Sequence, residues 1–119
     1  MKLSEIIAST DLFGYHVASK RNLPSIKIKG LVPEIPKDFD GEIKGVYLFK
    51  TFVDVEDALS NWLGERVDEI EEETGKKYNE VVLKINLTGL EEHLVDSVQY
   101  EWICTTAIEP HRIVEIKSV

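Results

Sequence analysis

Between Asp54 and Gly75 the chain carries one run long enough for a helix of several turns, and nearly everything after it is patterned as strand. Val55, Leu59, Trp62, Leu63, Val67 and Ile70 recur at steps of three and four, which aligns them as one apolar stripe. Trp62 therefore reads as core. Asp54 suits the N-cap, and Glu56 and Asp57 fall in the first turn, where the helix dipole favours acid. Gly64 weakens the middle and predicts a bend or break, and Gly75 ends the helix.

Around this helix the pattern has period two. "FGYHVAS" (13 to 19) reads as a strand with Tyr15 and Val17 on one face and His16 and Ala18 on the other. "GVYLFK" (45 to 50) is a second, and "EVVLKINL" (80 to 87) is the strongest, alternating Val81, Leu83, Ile85 and Leu87 with Val82, Lys84 and Asn86. "VQYEWICTT" (98 to 106) and "IVEIKSV" read as later strands, with "EPHR" as the turn between them and "LEEHL" (90 to 94) as a connecting turn or short helix. Two short helices complete the reading. One lies in "LSEIIAS" (3 to 9); the other is capped by Asn22, tolerates Pro24 in its first turn and stops at Gly30. Short strands outnumber helices and the helices sit early, so the fold class is α+β rather than an alternating parallel one.

A chain of 119 residues, 43% of them hydrophobic, is one domain's worth of core, and a single domain over 1–119 is expected. No apolar run approaches the ~20 residues of a membrane helix, and "MKLSEIIAST" is a poor leader, so a soluble, cytoplasmic protein with no membrane partner is expected. The 22 acidic residues exceed the 14 basic ones, and a net charge of −8 disfavours non-specific nucleic-acid binding. The charge is unevenly spread: Lys20, Arg21, Lys27 and Lys29 cluster near one end, and "DEIEEE" (68 to 73) holds the acid. The lone Cys104 sits in an apolar run and reads as a small buried hydrophobe. His16, His93, His111 and Cys104 lack metal-ligand spacing, so no metal is expected, and neither a phosphate loop nor a nucleophile elbow is present.

Three polar residues remain, each on its own short strand: His16, Tyr47 and Glu101. Taken singly, a structural role is the better reading of each: a hydrogen-bonded strand histidine, an amphipathic core edge and a solvent-facing carboxylate. Their order and flanks add weight. "YHVASKRNLPSIKIKGLVP", "GVYLFKT" before "VEDALSNW", "VVLKINLTGL" and "YEWICTTAIEPHRIVEI" together resemble the ADP-ribosyltransferase superfamily, in its His-Tyr-Glu class, from about residue 13 to 116. The opening and closing stretches are most similar to the DNA-modifying toxin branch and to small phage and bacterial relatives. The chain departs from the pattern in Ala18, in "AIEP" where "I-P-P-E" is commoner, and in its lack of long insertions.

The resemblance implies a split β-sandwich with a few flanking helices and NAD held in a cleft between two small sheets. It implies that His16 donates to the hydroxyls of the adenosine ribose and so orients NAD, that Tyr47 stacks near the nicotinamide, and that Glu101 bonds the ribose 2′-hydroxyl and drives cleavage. Ser19 and Arg21 are further candidates for cofactor ribose or phosphate, each with a plain structural alternative. Gln99, two before Glu101, is similar to the Q-x-E arrangement that positions an acceptor. The implied activity is mono-ADP-ribosyl transfer to a macromolecule, protein or single-stranded nucleic acid, with release of nicotinamide. The alternatives are NAD hydrolysis and a binding module that keeps the fold without catalysis. RNA 2′-phosphate removal calls for further basic residues and an arginine–histidine pattern that the chain lacks.

Overall fold

A computed structural model describes residues 11–35 and 43–118. The expected helical turns at 3 to 9 lie outside them. The described residues form an α+β fold in which six strands make one antiparallel sheet: β1 (Phe13–Ser19), β2 (Val46–Phe49), β3 (Glu80–Asn86), β4 (Leu94–Val98), β5 (Glu101–Cys104) and β6 (Ile113–Ser118). Their order across the sheet is β4-β5-β2-β1-β3-β6. Three helices accompany them: α1 (Leu23–Lys29), α2 (Phe52–Leu59) and α3 (Trp62–Thr74). None is long and apolar enough to cross a membrane.

Because successive strand side chains point to opposite faces, the sheet carries two cores. On one face Ala18, Val46, Leu48, Val81, Leu83, Ile85 and Cys104 pack with Ile26 of α1 and with Leu31 and Ile108. On the other, Phe49 and Val82 pack under Val55 and Ala58 of α2 and Leu63 and Val67 of α3. Cys104 is fully buried, as expected, and burial pushes its thiol pKa up.

Where the helical segment departs from expectation, local hydrogen bonds explain it. Thr51, not Asp54, is the N-cap: its hydroxyl accepts from the Asp54 amide and donates to the Asp54 carboxylate. The break falls at Ser60–Asn61 rather than at Gly64. There the Asn61 side-chain amide donates to the Asp57 carbonyl at 2.9 Å, satisfying the end of α2 while its backbone leaves the helix. The corner resets the helical phase, so Trp62 ends up 44% exposed instead of in the core. Asn22 also fails to cap α1, because a 3₁₀ turn over Lys20–Asn22 runs straight into it.

Gly64 matters for a different reason than helix propensity. A Cβ on it would sit 2.0 Å from the Leu59 carbonyl oxygen across the α2–α3 corner. Propensity alone makes Gly64→Ala stabilising by about 1 kcal/mol. The clash reverses the sign, and we expect a net loss of about 1–2 kcal/mol once overpacking is set against that gain. Urea denaturation of the variant decides between the two; a gain in stability means that the corner is not so tightly closed.

The expected strand over 98–106 is divided. Gln99 and Tyr100 form the turn of a β4–β5 hairpin, although neither is a usual turn residue. Tyr100 is held there by its ring, stacked 6.1 Å from Phe49. Tertiary packing overrides the local β preference.

Pairing is extensive within two halves of the sheet. β1 and β3 run together from Phe13↔Asn86 to Ser19↔Glu80, and β2 and β5 from Val46↔Cys104 to Phe49↔Glu101. Between the halves, among the described residues, β1 and β2 are in register at the single pair Tyr15↔Phe49. The sheet thus has a seam between β4-β5-β2 and β1-β3-β6.

Candidate active site

His16, Tyr47 and Glu101 lie on β1, β2 and β5, the three strands at and beside this seam. Cross-strand partners share a face, so the row Tyr15–Phe49–Glu101 puts Glu101 on the face covered by α2 and α3. Tyr47 is opposite Ile103, two positions along on the same face, which makes Tyr47 and Glu101 diagonal neighbours about 7–8 Å apart at the backbone. Glu101 and Ile103 share this face, and Ile103 is buried.

His16 leaves β1 on the alternate face, opposite Leu83. Its link to Tyr47 is to the main chain across the seam: its Nδ1 is 2.9 Å from the Tyr47 carbonyl oxygen. A carbonyl only accepts, so Nδ1 carries the proton in this bond and, in the neutral ring, Nε2 is an acceptor. Nε2 has no hydrogen-bond partner among the described residues. Burial, which strips water from the charged ring, holds the His16 pKa below its ordinary value of 6.5, against opposing pulls from the Tyr47 carbonyl and the Glu34 carboxylate. Glu34, which is bridged to Gly45 just before β2, had no signal in the sequence.

The sign of the His16 shift sets a pH dependence. A pKa lowered in the folded state means that the unfolded chain takes up the proton first, so stability is present above about 6.5 and is lost as pH falls from there through the folded pKa. Melting temperature is expected to drop on acidification below that point, and His16→Gln to flatten this part of the profile. An unchanged profile in the variant would assign the loss to other groups.

Glu101 is partly buried. Burial raises its pKa above 4.5, and a hydrogen bond from the Ser97 hydroxyl opposes the rise. Ser97 reaches it because β4 has an irregularity between Asp96 and Val98. Beside Glu101 stand three aromatic rings: Phe49 to Trp62 at 6.1 Å, Phe49 to Tyr100 at 6.1 Å and Trp62 to Tyr100 at 6.3 Å. Trp62 and Tyr100 are partly exposed. The one sequence signal for this ledge was the placing of large aromatics among polar neighbours in "SNWLGE" and "VQYEW".

Tyr47 is tethered by its hydroxyl, which donates to the Ile43 carbonyl at 2.5 Å and accepts from the Ile43 amide at 3.2 Å. Ser19 is buried, donates to the Tyr78 carbonyl at 2.7 Å and accepts from Arg21 Nε at 3.3 Å. Its hydroxyl ties the end of β1 to the approach to β3. It stands three residues beyond His16, about 10 Å along the strand. Arg21 is exposed in the 3₁₀ turn and Gln99 in the hairpin turn. The seam therefore links His16 to Tyr47 through a backbone carbonyl, puts the Tyr47 and Glu101 side chains together on the opposite face of the sheet, and leaves Ser19 and Arg21 at the far end of β1. Among the described residues no group of three acidic, histidine or cysteine side chains is close enough to hold a metal ion.

Two surface concavities lie elsewhere. A groove of about 260 Å³ is lined by Tyr15, Phe52, Val82, Lys84, Glu115 and Lys117; a second of about 390 Å³ lies at the α2–α3 corner around Gly64. Neither is lined by His16, Tyr47 or Glu101. No protein-family model matches the chain, and no curated protein matches it.

Proposed function

We propose that the protein is an NAD-dependent mono-ADP-ribosyltransferase with an ADP-ribosyltransferase-like split fold, its site at the β1–β2 seam. The observation that carries this reading is the seam itself: two three-stranded halves meet at one pair, Tyr15↔Phe49, and His16, Tyr47 and Glu101 sit on the strands beside it. A cofactor held between two small sheets needs such a division.

The side chains fit the chemistry. With the Nδ1 proton committed to the Tyr47 carbonyl, neutral His16 offers Nε2 to accept from a ribose hydroxyl, in place of the donation expected of it. Tyr47, its hydroxyl fixed at Ile43, offers a ring whose position is set. The Glu101 carboxylate accepts from the 2′-hydroxyl of the ribose. That bond strengthens as positive charge builds on the sugar and the bond to nicotinamide breaks, so it favours the transition state over bound substrate. Nicotinamide departs neutral. The acceptor's lone pair forms the new bond to the ribose, and its proton leaves to solvent or to a base.

A second reading, a binding module that has kept the fold and lost catalysis, is favoured by the alternate face of His16. The test separates the two. NAD at about 100 times its dissociation constant should stabilise the fold by about 2.7 kcal/mol if it binds here. Labelled NAD incubated with the protein and a cell lysate should release nicotinamide and label an acceptor. Release without transfer means hydrolysis; neither release nor stabilisation sinks the proposal.

A further inference from the structure

We propose that the protein self-associates through β6, two copies joining edge to edge across a twofold axis at Ile116 so that their sheets become continuous. This inference is independent of the activity at the seam.

β6 ends the sheet, so its outer edge has no strand partner among the described residues. The opposite edge, β4, is blunted: it is irregular between Asp96 and Val98, and Asp96 is tied to Lys50 at 2.5 Å. β6 carries the charges Glu115 and Lys117 but no irregularity over its last four residues. Glu115, Ile116, Lys117 and Ser118 run in unbroken register with Lys84, Leu83, Val82 and Val81, and the one irregularity lies before them. Val114 is 53% and Ile116 40% exposed, on a strand whose backbone can still pair.

The strand is also complementary to itself. A twofold axis normal to the sheet keeps each side chain on its own face, so it must pass through a residue rather than between two. Two choices keep the overlap longest within Ile113–Ser118. Centring on Glu115 sets Glu115 against Glu115, like charges face to face. Centring on Ile116 sets Ile116 against Ile116 and Glu115 of each copy against Lys117 of the other. Charge therefore selects the second register, and with it a closed dimer rather than a fibre.

Sedimentation of the protein over a range of concentrations should show a reversible dimer. E115K and K117E, at exposed positions, each place like charges opposite one another, and each should raise the dissociation constant by at least about tenfold. Mixing the two variants restores both opposite-charge pairs and should restore a dimer made of one copy of each. I116K, also at an exposed position, should dissociate the dimer and carries the test should either charge variant fail to fold. A wild-type chain that stays monomeric, or variants that dimerise as wild type does, overturns the interface. Loss in both charge variants without recovery on mixing overturns the register that defines it.

Discussion

Under the proposed transferase activity, E101Q is expected to lower nicotinamide release by about 10²–10³-fold, equivalent to about 2.7–4 kcal/mol of transition-state stabilisation, without lowering thermal stability. The two halves of this expectation come from one feature. Glu101 sits where burial disfavours its charge, so its pKa is raised above 4.5. A raised carboxylate pKa means that the folded state holds the proton more tightly than the unfolded one. The stability linked to it is full below about 4.5 and is lost as pH rises through the folded pKa. At neutral pH the ionised carboxylate is thus a small burden on the fold. Glutamine removes the charge, keeps the shape and can still accept from Ser97. It cannot answer positive charge developing on a ribose. Activity should fall by that factor while the melting temperature holds or rises, the trade expected where a site is kept at the expense of stability. Equal activity in wild type and variant, with both folded, would remove Glu101 from the mechanism. A melting temperature well below wild type would make its role structural instead.

How far the sequence reached depended on what kind of interaction set each feature. The strands at Phe13–Ser19 and Glu80–Asn86 were legible because alternation of apolar and polar residues is a local, period-two signal. The end of α3 at Gly75 was legible for a similar reason. The Gln99–Tyr100 turn was not, because what holds it is the stacking of Tyr100 on Phe49, 51 positions earlier in the chain. The Thr51 cap and the Asn61 corner depend on single side-chain hydrogen bonds, which compete with equally good local choices at Asp54 and Gly64. The candidate site was half legible. Alternation tells which residues share a face within a strand, but the register between strands is a long-range matter. The pair Tyr15↔Phe49 puts Tyr15, not His16, in the row of Glu101. His16 meets Tyr47 through a side-chain bond to a backbone carbonyl across the seam, a contact that no pattern along either strand could encode.

The largest loss of stability is expected from Gly30→Ala, about 3–5 kcal/mol, because strain and steric overlap act together there. Gly30 ends α1 with φ 74° and ψ −154°, a conformation that glycine alone adopts freely, and its amide donates to the Ile26 carbonyl at 2.8 Å. The next residue, buried Leu31, exchanges two backbone hydrogen bonds of 2.9 Å with buried Ile108. This bridge sews the end of α1 to the segment leading into β6. A methyl group on Gly30 would lie 2.0 Å from the Ile108 carbonyl oxygen and 3.1 Å from Pro110 Cδ. Relief requires the backbone of the bridge to move. That movement pulls Leu31, 6% exposed, and Ile108, fully buried, out of the core beneath β1 and β3. Strain in such a backbone region costs about 1–3 kcal/mol and overpacking about 1–3 kcal/mol, and one shift cannot relieve both. A domain's whole margin is about 5–15 kcal/mol, so the variant should be marginal at room temperature. Urea denaturation checks it: a midpoint close to wild type would mean that the bridge yields at little cost and that α1 is only loosely tied to the sheet.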